Sequence, residues 1–405
     1  MHPPKPPRPS RRRDWRFPLP DILRARRTPW LAVAAVFFLN GGLFGAWASR
    51  IPVFVERFDL TADRLGLLLL CMAFGSILCF PLAGRMADRR GAAPLSLRLA
   101  FFSAVVVALL PFAPAVPLLA VGMVFFGAAQ GGMDVAMNAW AAEVERHMGR
   151  PVMSSFHAVF SLGAGIGAGS GALAASAGLS PALHFPLVSL VLSGLVLAFA
   201  TISWASARVE GGSVFALPRG ALALVGLIAL ASALGEGAMA DWSAVFLATV
   251  VGASEAQAAL GYAVFSAAMV LARLAGDQVV RRLGPVTSAR ISGLLAAGGA
   301  LTALLGGSFG VALAGFGLMG VGYAIVFPLA FSRAANDGEI PPGSAIASVA
   351  TLAYGGMLVG PPAIGFIAAM TSLTHAFGLI AVLALAIVPL ATSLRPAPRR
   401  ARQEP

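Results

Sequence analysis

Twelve apolar stretches, each long enough to cross a bilayer, constrain this chain more than any other feature. At about 1.5 Å per helical residue, some 20 residues cover about 30 Å of hydrocarbon. The stretches fall at residues 30–49, 64–84, 95–113, 117–140, 153–178, 183–205, 220–247, 258–276, 289–306, 310–331, 345–369 and 376–394. Of the 405 residues, 58% are hydrophobic and 11% charged, whereas soluble domains carry about a quarter charged residues. A soluble chain of this length needs a polar surface that these residues do not supply. The expected fold class is therefore an all-α membrane protein of twelve transmembrane helices, with the lipid bilayer as solvent.

An even number of crossings puts both termini on one side, and the distribution of arginine and lysine says which. With the N-terminus inside, Lys5, Arg11, Arg12, Arg13, Arg26, Arg27, Arg85, Arg89, Arg90, Arg98, Arg281, Arg282, Arg290, Arg399 and Arg400 are cytoplasmic, against Arg50, Arg57 and Arg64 outside. Both termini are thus expected in the cytoplasm, at a bacterial cytoplasmic (inner) membrane. The net charge of +12 sits in tails and loops, which fits lipid headgroups and topology rather than nucleic acid. "SRRRDW" near the N-terminus lacks the directly following apolar core of an export signal, so no cleaved leader is expected. Cys71 and Cys79 share one apolar run, eight residues apart, and suggest packing rather than a disulfide or a metal site.

The chain also repeats. "GRMADRRG" (84–91) after the second stretch returns in degenerate form as "RLAGDQVVRRLG" (273–284) after the eighth, so that Asp88 corresponds to Asp277. "GAGIGAGSG" (163–171) is echoed by "GGMLVGPPAIG" (355–365). Two six-helix pseudo-repeats follow: a basic tail at 1–29, a first half at 30–206, a linker at 207–219, a second half at 220–394 and a tail at 395–405. Repeated halves about a midplane cavity are an architecture of alternating-access transport.

Over residues 30 to 394 these features resemble the major facilitator superfamily. "GRMADRRG" is similar to the family's loop motif after helix two, with Gly84, Asp88, Arg89 and Gly91 in place. The resemblance implies that these residues, with Asp277, form a cytoplasmic latch between neighbouring helices; the plainer role of the arginines is topology and lipid-phosphate contact. "FFLNGGLFGAWASRIPVF" (37–54) and "DVAMN" (134–138) resemble the fucose-permease branch of sugar–proton symporters, whose fourth-helix acid and asparagine carry over to Asp134 and Asn138. This chain has Ala48 where that branch has a second acid, which points away from fucose itself. The arginine of proton–drug antiporters, four residues before a glycine in helix four, is here Met123 before Gly127. Their Gly-Pro pair in helix five is here Gly167-Ala168.

Asp134 is the residue that most needs a reason. An ionised acid at bilayer depth costs roughly 2.5–3.5 kcal/mol on insertion scales, so it is expected to face protein or a wet cavity. It lies about 13 Å from the inner end of its helix by the same rise. Gln130, Asp134 and Asn138 recur every four residues and are expected to share a face, a polar stripe for substrate, with Gly127 and Gly131 admitting a partner helix or ligand. The hairpin into helix five is expected to bring His157 to Asp134 as a proton-handling pair. The plainer readings are a structural hydrogen bond from Asn138 to Asp134, and an interfacial histidine. Glu236, expected near the outer mouth, is the third proton-coupling residue. Asn40, Tyr323 and Tyr354 complete the expected substrate contacts. Trp47 and Arg50 read as markers of the outer interface, and Trp242, beside Asp241, as an aromatic-belt residue.

No HExxH, GxSxG or P-loop occurs, so no catalytic site, metal or cofactor is expected, and neither is ATP as the energy source. The function expected is secondary transport of a small polar, sugar-like solute by proton-coupled symport through a monomer. The alternative is a proton-coupled exporter of amphipathic compounds, using Met133, Met137 and aromatic side chains.

Overall fold

The computed structural model describes residues 28–149, 152–206, 218–337 and 342–395. The expected tails and most of the linker lie outside the described residues. Within them, twelve helices are long and apolar enough to cross a membrane, and no strand is present. The first half holds α1 (Pro29–Phe58), α2 (Ala62–Arg90), α3 (Ala92–Phe112), α4 (Val116–Met148), α5 (Ser155–Ser176) and α6 (Pro181–Phe199). The second holds α7 (Ala221–Thr249), α8 (Glu255–Gly276), α9 (Gln278–Leu305), α10 (Phe309–Ala335), α11 (Ser348–Met370) and α12 (Leu373–Leu394).

Local chemistry sets several ends. Thr28 caps α1, its hydroxyl accepting from Leu31 N at 3.2 Å with Pro29 next in line, the first-turn arrangement a helix favours. Ser254 and Gln257 form a reciprocal capping box at α8. A helical path continues from α8 into α9 and turns at Gly284 (φ 76°, ψ 163°), a conformation that glycine adopts without steric penalty. α10 is interrupted at Ala324 and Ile325. α6 stops at Phe199, earlier than the apolar stretch suggests. The following segment lays Trp204 against α4, where Nε1 donates to Glu143 at 2.6 Å.

The halves are built on helix pairs whose backbones touch. An added Cβ at Gly41 or Gly45 of α1 would strike the carbonyls of Phe160 or Ala164 of α5. Added at Gly163 or Gly167 of α5, it would strike Phe38 or Gly42 of α1. Gly127 of α4 meets Met72 of α2 in the same way, and Gly131 meets Ser76 and Phe80. The opening left by these two glycines thus takes a partner helix. Small residues supply the van der Waals contact that drives helix association where water does not. The buried core lies inside each bundle, with Trp47, Trp140, Trp242, Phe126, Phe156 and Phe316 among its largest side chains.

Contacts between the halves gather toward the end opposite the termini. Gly66 of α2 abuts Pro361, Pro362 and Gly365 of α11, Phe44 of α1 meets Tyr262 of α8 edge-on, and Gly165 of α5 faces Ser266 of α8.

Gly45→Val should cost about 3 kcal/mol or more through forced separation of α1 and α5. Gly194→Ala, at a site with no neighbour within 4 Å, should be neutral or slightly stabilising. Thermal unfolding in detergent distinguishes the two.

Candidate functional site

Asp134 joins the two halves. Asn138, one turn on, donates its amide to Asp134 Oδ1 at 3.0 Å and to its main-chain oxygen at 2.9 Å. From the other half, the Tyr354 hydroxyl on α11 donates to Asp134 Oδ2 at 3.4 Å, and its ring rests on Phe80 of α2 at 5.4 Å. Asp134 and Asn138 are half-buried and Tyr354 is 40% exposed. A polar contact between bundles that keeps this much exposure borders an accessible space.

Gln130 does not share that space. It is buried, donating to the Asn40 carbonyl at 3.2 Å and accepting from Ser103 at 3.4 Å. Four helical residues turn about 400°, so a four-residue stripe drifts by about 40° per step. That drift carries Gln130 into the first half while Asn138 stays with Asp134. Asn40 is also interior, its amide on the Met137 sulfur at 3.5 Å and its Oδ1 without a partner among the described residues. Met133 and Met137 are buried in the same bundle.

His157 is not paired with Asp134. Its ring lies edge-on to Phe37 of α1 at 5.4 Å, and among the described residues Asp134 bonds only Asn138 and Tyr354. The expected hairpin fails because its two helices diverge. α4 packs on α2 and α3, whereas α5 packs on α1 and on α8 of the other half. His157 is nonetheless exposed.

Glu236 is the sixteenth of the 29 residues of α7 (Ala221–Thr249), so it sits at mid-helix and not at the mouth. The expected position takes the rise from Gly220 to Glu236, about 24 Å at 1.5 Å per residue, as most of a crossing, although the 220–247 stretch itself runs well past Glu236. Glu236 accepts from Ser232 at 3.0 Å, and its Oε2 lies 3.6 Å from Arg273 Nη2 of α8. Arg273 also donates to Ser161 of α5 at 2.6 Å and to the Ala324 carbonyl at 3.2 Å, where α10 breaks. This arginine therefore ties the first half to three helices of the second. Tyr323 is fully buried, its ring passing over Gly235 and its hydroxyl without a partner among the described residues.

Trp47 and Trp242 are both fully buried. Trp47 packs on Phe54 at 5.0 Å, and neither indole lies where an aromatic belt would put it. Asp241 beside Trp242 is buried. Arg50, expected at an interface, is 1% exposed. It donates to the carbonyls of Gly171 and Leu179 at 3.3 and 2.8 Å, and it pairs with Glu255 at the start of α8 at 3.0 Å. The pair closes the end opposite the termini.

In the loop motif, Asp88 and Arg89 are exposed, with no ion pair among the described residues. A Cβ added at Gly84 would meet nothing within 4 Å among the described residues, and Gly91 takes φ 93° between α2 and α3. The side chain of Asp277 lies outside the described residues.

Sequence reasoning passed over Arg273 and the Arg50–Glu255 pair. Arg273 is visible as an arginine inside "YAVFSAAMVLARLAG", but it enters the sequence reading only as the first residue of the motif echo "RLAGDQVVRRLG", with no role of its own. Nothing local announces the Arg50–Glu255 pair, because its partners are half a chain apart.

The sequence profile of the Major Facilitator Superfamily matches residues 1–144 and 57–339. The chain belongs to the major facilitator superfamily. It is 48% identical over 376 residues to an uncharacterised transporter, y4wD, of Sinorhizobium fredii, covering 92% of this chain and all of that one. It is 39% identical over 352 residues to an uncharacterised MFS-type transporter of Yersinia pestis, covering 87% of this chain and 92% of that one. Among solved structures it superposes on the nucleoside transporter NupG with a TM-score of 0.72 at 13% identity, over 91% of this chain and all of that one. That likeness concerns the fold alone. As an MFS protein the chain is an integral membrane transporter.

Arg50→Met should destabilise the closed end by about 2–3 kcal/mol, because the Gly171 and Leu179 carbonyls lose a charged donor, while Glu255, 43% exposed, is left to solvent. With Cys71 and Cys79 replaced by serine, a Gly165→Cys/Ser266→Cys pair should cross-link readily. Adding Arg50→Met should cut the yield several-fold.

Proposed function

We propose that this MFS protein is a proton-coupled symporter of a small polar, sugar-like solute, with Asp134 as the coupling acid. The observation that supports this is the Asp134–Tyr354 hydrogen bond between α4 and α11. Rocking of the halves makes and breaks it. The number of donors to the carboxylate then differs between states, and proton occupancy differs with it. Asn138 stays with Asp134 throughout, on the same helix, and serves as the fixed polar contact for solute. The fourth-helix pattern "DVAMN", similar to the fucose-permease branch, supports the same assignment.

His157 and Glu236 act in this reading as groups of a second polar region nearer α5, α7 and α8, with Tyr323 behind Glu236. Asn40 and Gln130 hold the first bundle together and shape the region from behind. Arginine-rich ends place both termini in the cytoplasm of a bacterial cell, at the inner membrane, and the protein works as a monomer. The cavity between the halves then faces the cytoplasm here, with the Arg50–Glu255 end outside and closed. In that state the Gly84–Gly91 latch, with Asp277 as its counterpart, is released, in keeping with the exposure of Asp88 and Arg89. The exporter alternative drew on Met133 and Met137. Their burial inside the first half favours the polar-solute reading.

In inside-out and right-side-out vesicles, Asp134→Asn should abolish accumulation driven by a pH gradient while retaining solute exchange. Tyr354→Phe should weaken gradient-driven accumulation by roughly tenfold or less, the worth of one hydrogen bond of about 1 kcal/mol. Full gradient-driven accumulation by Asp134→Asn refutes the assignment. Drug hypersensitivity of a deletion strain would favour export instead.

A further inference from the structure

Arg273 is the cation at the seam between halves whose charge is least completely answered. Its Nε is spent on the Ala324 carbonyl and one Nη1 proton on the neutral Ser161 hydroxyl. Its carboxylate partner, Glu236, lies at 3.6 Å from a single nitrogen, long for a charge-assisted hydrogen bond, which is about 2.7–2.9 Å. A guanidinium has five N–H donors, so two on the terminal nitrogens have no protein acceptor among the described residues. The side chains of Arg273 and Glu236 remain 18% and 22% exposed, so the open edge reaches an accessible space. Tyr262, Ser266, Met269 and Arg273 form one stripe of α8 that faces α1 and α5, through Phe44, Gly165 and Ser161. His157, one turn before Ser161 on α5 and exposed, stands beside it.

We infer that Arg273 receives a carboxylate of the transported solute, a small organic acid or acidic sugar, and that Glu236 is the resident counter-ion which this carboxylate displaces. The planar fork of arginine matches a carboxylate with two parallel hydrogen bonds, which the long contact to Glu236 does not supply. A proton on Glu236 neutralises the resident acid, and the incoming carboxylate restores the lost negative charge. Solute and proton together add no net charge to the seam, so the site crosses between states without an unpaired ion in low dielectric. The groups facing Glu236 are Arg273 and Tyr262 from α8 and Tyr323 from α10. His157 of α5 lies within reach of Arg273, and Asp241 lies farther along α7. α11 meets α7 through Leu230–Gly356 and Leu234–Gly360, and α12 meets it through Phe246–Phe377.

This inference rests on the transport reading and narrows its solute, but it is tested by binding, whereas the coupling role of Asp134 is tested by uptake. The full chain in detergent is heated with D-glucuronate or lactate, each beside its own uncharged amide, at pH 5.5 and 7.5. At least one of the acids should raise the unfolding midpoint by several degrees, more at pH 5.5, while its amide does not. Arg273→Gln should lose the shift, Arg273→Lys should keep a small part of it, and Gly194→Ala, where an added Cβ meets nothing within 4 Å, should keep it whole. Glu236→Gln should bind the acid about tenfold more tightly than wild type at pH 7.5, and that variant carries the test should Arg273→Gln fail to fold. The inference is overturned by equal shifts from acid and amide, by no shift from either acid, by a retained shift in Arg273→Gln, or by unchanged binding in Glu236→Gln.

Discussion

Hydrocarbon offers no hydrogen bonds, so a polar side chain in these twelve spans gains most where protein, or water held between bundles, meets it. That constraint sorts the molecule. Polar groups answered within one half, such as Asn40, Gln130 and Ser103, stiffen a bundle. Those answered across the seam, Asp134 with Tyr354, Arg273 with Ser161 and Arg50 with Glu255, tie the halves together. The second group is also the one that motion has to disturb. Backbone contact through Gly41, Gly45, Gly163 and Gly167 stiffens the first bundle, and contact between Gly299 and Gly315 does the same in the second.

The cross-half contacts are distributed unevenly along the spans. At the end opposite the termini, Arg50 binds two carbonyls and a carboxylate, and Gly66 meets α11 without side chains between. Deeper in, contacts become single and partly exposed, as at Tyr354 with Asp134 and Arg273 with Ser161. The seam is thus sealed at one end by the buried Arg50 and held at mid-depth by single contacts, the arrangement on which the proposed alternation rests.

The fold was legible because its signals are long and redundant: the length of each apolar run, the arginine bias and the echoed "GRMADRRG" all agree. The site was legible only in part. Asp134 stood out because an acid in a greasy helix is costly wherever it points, and Asn138 followed from one turn of spacing. Which neighbour each would meet was not written locally. Tyr354 reaches Asp134 from a helix 220 residues away, and His157 leaves Asp134 because α5 prefers the glycine face of α1. Gln130 was misplaced by treating a four-residue repeat as a straight line on the helix. Trp47 and Trp242 were read by residue type as belt markers, although their burial is set by packing that spacing does not reveal.

The central claim is that the contact between α4 and α11 is made and broken with the protonation of Asp134. The most direct measurement is the distance between spin labels at Ala139 and Val359, exposed positions on those helices, with Cys71 and Cys79 replaced by serine. In lipid, the distance distribution of the wild type should shift its populations between pH 5.5 and 8, and Asp134→Asn should hold one population across that range. A pH response in Asp134→Asn equal to that of the wild type would contradict the account.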